Sequence, residues 1–490
     1  MVEVRVTGGT VRGAAESGTA VFRGIPFAAP PVGPRRFLAP QPVEKWEGVR
    51  DALEFGPPPP QAGVFGMDGI GSAGDDWLTL NVWSPDLAGD LPVMVWIQGG
   101  AYTVGMSGLP EYDGTRLTSG GVVVVTFNYR VGIEGFARIE GAPANRGLLD
   151  QVAALEWVRG NIRAFGGDPG RVTVFGQSAG GGSVAALLAM PRAKGLFHRA
   201  IASSVPGVFF TPELAADIAA ECAAELGLRP TVADLSTVDP ELLPAAGDEV
   251  MARMHEITRW GQAAHKRIPF APVVDGDVLP VTPWEALKSG AARDVELIAG
   301  HTRDEQRLLS VLEGLVGTVT AEQASAALEI FAPGLAYPVL EPEELFELVC
   351  SDWLFRMPSL HLAEAQVAGG GRAHVYEVAW APTEVFRACH GIDVPLVFGT
   401  IDRGQAAAVL GEITPEAHEV SARMRAAWTG FAADGDPGWP AYSADRLTRV
   451  FDAEDSVTVY PHERSRLIWQ DHTWEYLSLD GVVRAGREVR

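Results

Sequence analysis

Arg171-Val-Thr-Val-Phe-Gly-Gln-Ser-Ala-Gly-Gly-Gly182 is the stretch around which the chain is organised. Val172, Val174 and Phe175 make a short, β-prone apolar run that stops at Gly176. From Ser183 the residues Ser-Val-Ala-Ala-Leu-Leu-Ala-Met read as a helix with a buried face. Between them lies Gly176-Gln177-Ser178-Ala179-Gly180. A strand-to-helix turn of this pattern is so tight that the positions two before and two after the serine must be small, and it lifts the hydroxyl above the sheet. Ser178 is therefore the candidate nucleophile, beside a helix N-terminus that favours developing negative charge.

Working outward, Leu91-Pro-Val-Met-Val-Trp-Ile97 is a continuous apolar run, as expected of a strand covered on both faces. It passes directly into Gln98-Gly99-Gly100-Ala101. Residues 121–128 predict another central strand, and further strands are expected at 2–6, 20–22, 78–83, 200–204, 295–299 and 374–380. Residues 147–162 predict an amphipathic helix, apolar at 148, 149, 152, 155, 158 and 162. Pro415 opens a late helix to 431, with Thr414 as its N-cap. Strands alternating with helices predict an α/β fold with a large, mostly parallel central sheet flanked by helices. Ala/Glu/Leu-rich blocks at about 211–265 and 321–368 read as helical insertions over the site. No internal repeat or flexible linker divides the chain, so residues 1–490 are expected to form a single catalytic domain.

Composition narrows the function classes. Sixty-two acidic against 39 basic residues give a formal charge of −23, which disfavours nucleic acid and anionic membranes as partners. No apolar run is long enough to span a bilayer. The N-terminus lacks a basic segment followed by an apolar core, so no secretory signal is expected. Three cysteines, Cys222, Cys350 and Cys389, cannot build a disulfide framework and lack metal-ligand spacing. A reducing cytoplasm is the expected location, and neither metal nor cofactor is implied.

A serine needs a base to take its proton, and the base needs a third group to hold it. In α/β-hydrolases these follow in the order Ser, acid, His, each on a loop beyond a strand's C-terminal end. The strand at 295–299 leads into Gly300-His-Thr-Arg-Asp304-Glu305, so both Asp304 and Glu305 stand where the acid belongs. Six histidines follow. His361 and His418 lie inside helical segments, and His374 starts a strand at its wrong end. His462 and His472 are in the C-terminal segment, whereas His390 lies on a long loop just before Gly391 and is best placed. Gly99-Gly100-Ala101, just past a buried strand, can offer backbone N–H groups to an oxyanion, with Ala179 completing the set. Such donors are worth about 3 kcal/mol each in the transition state.

The chain resembles the type-B carboxylesterases, the family of cholinesterases and bacterial para-nitrobenzyl esterases, from about Gly8 to Tyr442. The resemblance rests on long segments, among them Phe22-Arg-Gly-Ile-Pro-Phe-Ala-Ala-Pro-Pro-Val-Gly33, Asn128-Tyr-Arg-Val-Gly132, Gly147-Leu-Leu-Asp-Gln151, Asn161-Ile-Arg-Ala-Phe-Gly-Gly-Asp-Pro169 and His390-Gly-Ile-Asp393. It implies the α/β-hydrolase fold, Ser178 as nucleophile, Glu305 as acid and His390 as base. It also implies an oxyanion hole of Gly100, Ala101 and Ala179. The chain departs from the family in four places. The positions of a common early disulfide read Pro59 and Trp77, which fits an intracellular enzyme. Gln98 replaces the usual His before the glycines, Gln177 the usual Glu before the nucleophile, and Gln306 the usual Gly after the acid. Nothing identifies a choline-binding aromatic site. The expectation is a serine carboxylesterase that cleaves small-molecule esters through an acyl-enzyme. An amide or carbamate hydrolase with the same triad is the alternative in its class, and a non-catalytic binding scaffold the alternative outside it. Oligomeric state is not encoded in these features.

Overall fold

The computed structural model describes residues 1–62 and 74–479. Among them thirteen strands form one sheet: β1 Val2–Val6, β2 Gly9–Glu16, β3 Thr19–Pro26, β4 Val49–Asp51, β5 Thr79–Ser84, β6 Leu91–Ile97, β7 Val123–Phe127, β8 Gly167–Gln177, β9 Arg199–Ser203, β10 Glu296–Thr302, β11 Ala373–Val378, β12 Leu447–Phe451 and β13 Ser456–Val459. Their order is β1-β2-β3-β5-β7-β6-β8-β9-β10-β11-β12-β13, with β4 beside β2. From β7 to β12 every pairing is parallel. The flanks are antiparallel along β1-β2-β3-β5-β7 on one side and β12–β13 on the other, while β4 runs parallel to β2.

Continuous apolar runs suit the central strands because both faces are covered. In register, Val123, Val93 and Val172 form one row, and Val125, Val95 and Val174 the next, all in the same core. The alternate residues Met94, Val124, Trp96 and Phe175 point to a second core on the opposite face. Successive strand side chains face opposite ways, so one run feeds both layers. The helices Arg146–Asn161, Ala179–Ala189 and Met357–Ala368 cover the first face. Asp393–Phe398 and Pro415–Asp434 cover the second, the latter capped by Thr414 Oγ1 accepting from Ala417 N–H at 3.2 Å.

The expected central strands and the helices at 147–162 and 415–431 are all present, with ends shifted by a few residues. The block at 211–265 contains the helices Pro212–Glu225, Leu243–Arg253 and Gly261–His265. The block at 321–368 contains Ala321–Phe331, Pro342–Ser351 and Met357–Ala368, the last two joined by a π-helical turn at Asp352–Arg356. Met357–Ala368 packs against β10 and β11 through residues such as Leu360 and Leu362, so this part of the block is a layer of the sheet. No described helix is long and apolar enough to cross a membrane.

The parallel register matters most for function. Gly176 lies opposite Ile97 and Ala202, Ser203 opposite Gly300, and Thr302 opposite Val378. The C-terminal ends of β6, β8, β9, β10 and β11 therefore deliver the segments beginning at Gln98, Ser178, Ser204, Arg303 and Ala379 to one sheet edge. In open α/β sheets this edge is where ligands bind.

Candidate active site

Ser178 links β8 to the helix Ala179–Ala189 and has φ 59° and ψ −126°, a conformation that is strained for any residue with a side chain. The turn is closed by Ser178 N–H donating to Ser203 O at 3.0 Å and Gly182 N–H donating to Ser178 O at 2.8 Å. The glycines are sterically required. A methyl on Gly180 would lie 2.0 Å from Ile97 O, and one on Gly176 would lie 2.6 Å from the Gly180 carbonyl.

The segment after β6 approaches the same serine. A Cβ on Gly99 would sit 3.1 Å from Ser178 Cβ. Gly100 has φ 121°, and Ala101 and Tyr102 follow at 53° and 59°. These positive φ values close a tight turn in which Thr103 N–H and Val104 N–H both donate to Gly100 O, at 2.9 and 3.0 Å. Among the described residues none accepts a hydrogen bond from the N–H of Gly100, Ala101 or Ala179. Ala179 is buried, Gly100 half-buried and Ala101 exposed, so these N–H groups are without an internal acceptor beside the serine.

Of the two candidate acids, Glu305 is the one that meets a histidine. Its Oε2 lies 2.5 Å from His390 Nδ1. Oε1 accepts from Ser204 Oγ at 2.7 Å and from Thr302 N–H at 2.8 Å. Burial alone would raise the carboxyl's pKa, but His390, Ser204 and Thr302 outweigh it and hold the group below its ordinary value. The neighbouring Asp304 turns away towards Ala388, whose N–H lies 3.4 Å from its Oδ2.

The His390 ring stacks on Phe355, with centroids 4.1 Å apart and planes at 23°. With Nδ1–H given to Glu305, Nε2 is the acceptor, and it lies 3.1 Å from the Gln177 amide nitrogen. Among the described residues no hydrogen bond joins Ser178 Oγ to the ring. Catalytic hydrogen bonds are often loose until substrate is bound. Burial pushes the adjacent Cys389 thiol up to about 12, so it stays protonated and does not compete as a nucleophile.

The other histidines are engaged elsewhere. His361 accepts from Trp474 Nε1 at 2.9 Å, His374 Nδ1 meets Trp439 O at 3.0 Å, and His462 Nε2 meets Glu377 Oε1 at 2.9 Å. His472 packs edge-on against Trp469 and Trp474, and His418 is exposed on its helix. Phe209 is buried edge-on against Trp284, Phe210 is bridged to Val273, and Met106 is also buried.

The sequence reading missed Ser204 and Phe355, whereas the family resemblance had already placed Gln177 near His390. Ser204 had a detectable signal. It follows β9, whose parallel placement between β8 and β10 brings its end to the same edge.

The first 328 residues match the model of the carboxylesterase family. The chain is 40% identical over 481 residues to the para-nitrobenzyl esterase of Bacillus subtilis (strain 168), covering 94% of this chain and 96% of that protein.

The chain belongs to the carboxylesterase family.

A phenmedipham hydrolase of Pseudarthrobacter oxydans is 32% identical, with 90% and 92% coverage. Among solved structures, a PNB esterase superposes with a TM-score of 0.85 at 38% identity, covering 95% of this chain and 99% of that one. The Geobacillus stearothermophilus carboxylesterase EST55 gives 0.84 at 34% identity, with 96% and 100% coverage. This carboxylesterase thus has the α/β-hydrolase fold, is a carboxylic-ester hydrolase and takes small-molecule esters.

Proposed function

We propose that Ser178, His390 and Glu305 form the catalytic triad and that the ester is cleaved through an acyl-enzyme. The observation that carries the reading is the short contact between Glu305 and His390 Nδ1 on loops that share an edge with Ser178. Glu305 fixes the tautomer, so that Nε2 carries the accepting lone pair, which the Gln177 amide yields as Ser178 Oγ engages. Ser178 Oγ attacks the ester carbonyl while Nε2 takes its proton. The carbonyl oxygen gains negative charge and is met by the N–H groups of Gly100, Ala101 and Ala179. As the tetrahedral intermediate collapses, the C–O bond to the alcohol breaks and the imidazolium returns the proton to that oxygen. Water then enters, gives a proton to Nε2 and attacks the acyl carbon; the bond from that carbon to Ser178 Oγ breaks, the imidazolium returns the proton to Oγ, and the acid leaves.

The reaction draws on side chains and backbone alone. A cytoplasmic location fits the three buried, unbridged cysteines, and a single domain fits the single sheet.

An organophosphonate tests the site directly. It should label one residue per chain, Ser178, and Ser178→Ala should lower turnover by several orders of magnitude with the fold intact. Labelling elsewhere, or an unchanged rate, overturns the assignment. Nitrophenyl esters of increasing chain length, run beside matched anilides, report acyl preference and separate esterase from amidase activity.

A further inference from the structure

Asp304 is the N-cap residue of the helix Glu305–Leu312, yet its side chain makes no capping bond there. An aspartate at this position ordinarily accepts from an amide of the first helical turn. Here the first turn is served otherwise. Gln306 N–H goes to Ser351 Oγ at 3.0 Å, and Arg307 N–H to the Asp304 carbonyl at 2.9 Å.

The carboxylate reaches instead to the loop that carries the base. Asp304 N–H donates to Ala388 O at 3.0 Å, and Ala388 N–H approaches Asp304 Oδ2 at 3.4 Å. Asp304 also forms an isolated bridge with Cys389, the residue directly before His390. That loop has no strand or helix of its own between β11 and Asp393, and it contains left-handed turns at Arg387 (φ 53°) and Gly391 (φ 81°). It needs external fixing. A second handle comes from the same helix, Arg307 Nε to Val385 O at 2.7 Å, with Arg307 itself held by Glu343 and Glu347.

We infer that Asp304 is a positioning residue for the base. By clasping Ala388 it sets the height of His390 relative to Glu305, the next residue in the chain. One turn thus supplies the acid to the imidazole and, through its neighbour, the register of the loop that presents it. The inference rests on the triad proposed above. Its logic is geometric: a side chain misplaced by about 1 Å costs on the order of a hundredfold in rate.

Four variants assayed with a nitrophenyl ester test it. Asp304→Ala should lower kcat about ten- to hundredfold with KM within about twofold. Asp304→Asn keeps an oxygen facing Ala388 N–H and should retain kcat within about threefold. Asp304→Ser keeps a hydroxyl at the turn but is too short to reach Ala388. It should lose kcat as the alanine variant does, and a cooperative melt close to that of wild type separates positioning from folding and stands in if Asp304→Ala does not fold. Glu305→Gln should fall by about three to four orders of magnitude. Wild-type kcat in the alanine or serine variants overturns the inference, as does an asparagine variant as slow as the alanine one. An inactive Asp304→Asn beside an active Glu305→Gln would show instead that the acid is misassigned, which defeats the triad reading and the inference together.

Discussion

The side-chain amide nitrogen of Gln177 stands 3.1 Å from Nε2 of His390, on the ring nitrogen opposite the one that meets Glu305. Because Nδ1–H is committed to the carboxylate, Nε2 presents a lone pair, and only a donor can satisfy it. An amide can donate. A carboxylate, the group commonly found here in the family, can only accept, and therefore favours the protonated ring. Gln177→Glu should move the acid limb of kcat/KM to higher pH. By restoring a negative charge beside the nucleophile it should also lower KM for a cationic ester relative to its neutral isostere, by about fivefold. A pH–rate profile and a matched pair of esters check both; coincident profiles and an unchanged KM ratio would contradict the contact's role.

Gly100 tests the oxyanion site. Its φ of 121° is poorly accessible to other residues, and a Cβ there would lie 2.1 Å from Val104 O. Gly100→Ala must therefore shift the segment that aims the Gly100 and Ala101 N–H groups. Loss of one donor is worth about 10²- to 10³-fold in kcat, so a fall of this size is expected, with phosphonate labelling of Ser178 slowed in parallel. An alanine variant with undiminished kcat would place the oxyanion elsewhere.

Buried histidines make the fold sensitive to acid. Burial pushes the His301 imidazole down to about 4. It does the same to His361, where the positive charges of His472 and Arg466 add to the effect. His374, His462 and His472 are shifted in the same direction, each mainly by burial. An imidazole whose folded pKa lies below its unfolded value of about 6.5 binds fewer protons when folded, so stability is lost as pH falls. For His301 and His361 the loss begins below about pH 6.5 and is complete below about pH 4, about 3 kcal/mol each. Asp393 opposes them. Burial and then Glu305 push it up to about 6, so it favours the folded state as pH drops from there to about 4. Burial also raises Asp76, Glu134 and Glu364. But Glu305 and Glu377 are held low and lose stability with the histidines as pH falls, so the melting temperature should fall between pH 7 and pH 4. His361→Gln keeps an oxygen to accept from Trp474 Nε1 but cannot be protonated, so its melting temperature should fall less over the same range. Parallel curves for the two proteins would refute this account.

Short-range features were the legible ones. Gly176 to Gly180 could be read because the steric demand of the turn falls on five adjacent residues, and the valine runs of β6, β7 and β8 because both their faces are buried. The flanking strands β2, β4, β12 and β13 were not read. β13 is exposed along its length, and the buried positions of β2 are Gly9, Val11 and Gly13, so neither has a strong apolar pattern. Asp304 and Glu305 could not be told apart from their own residues. The choice depends on which carboxylate meets a loop 85 residues later, and it was resemblance that favoured Glu305. The position of Phe355 stacked on the same ring is likewise set by tertiary packing and leaves no local pattern, while that of Gln177 near His390 came from resemblance.

Behind the acid turn, Tyr460 from the C-terminal region closes a chain of contacts that ends at Glu305. The Tyr460 hydroxyl donates to His301 Nε2 at 2.9 Å, because His301 Nδ1–H is given to Thr302 O at 2.9 Å. Thr302 N–H in turn holds Glu305 Oε1. Tyr460→Phe would leave a fully buried imidazole nitrogen without its donor, at a cost of about 1–3 kcal/mol. The effect on rate should be much smaller. Thr302 is also fixed by its register with Val378 on β11, and Glu305 Oε1 keeps the Ser204 hydroxyl. Tyr460→Phe is therefore expected to melt several degrees lower while keeping kcat within about threefold, as expected when a buried hydrogen bond away from the reacting atoms is removed. Thermal melts and initial rates on the same preparation measure both. A large loss of kcat with unchanged melting would show that the C-terminal contact aims the acid in addition to bracing its turn.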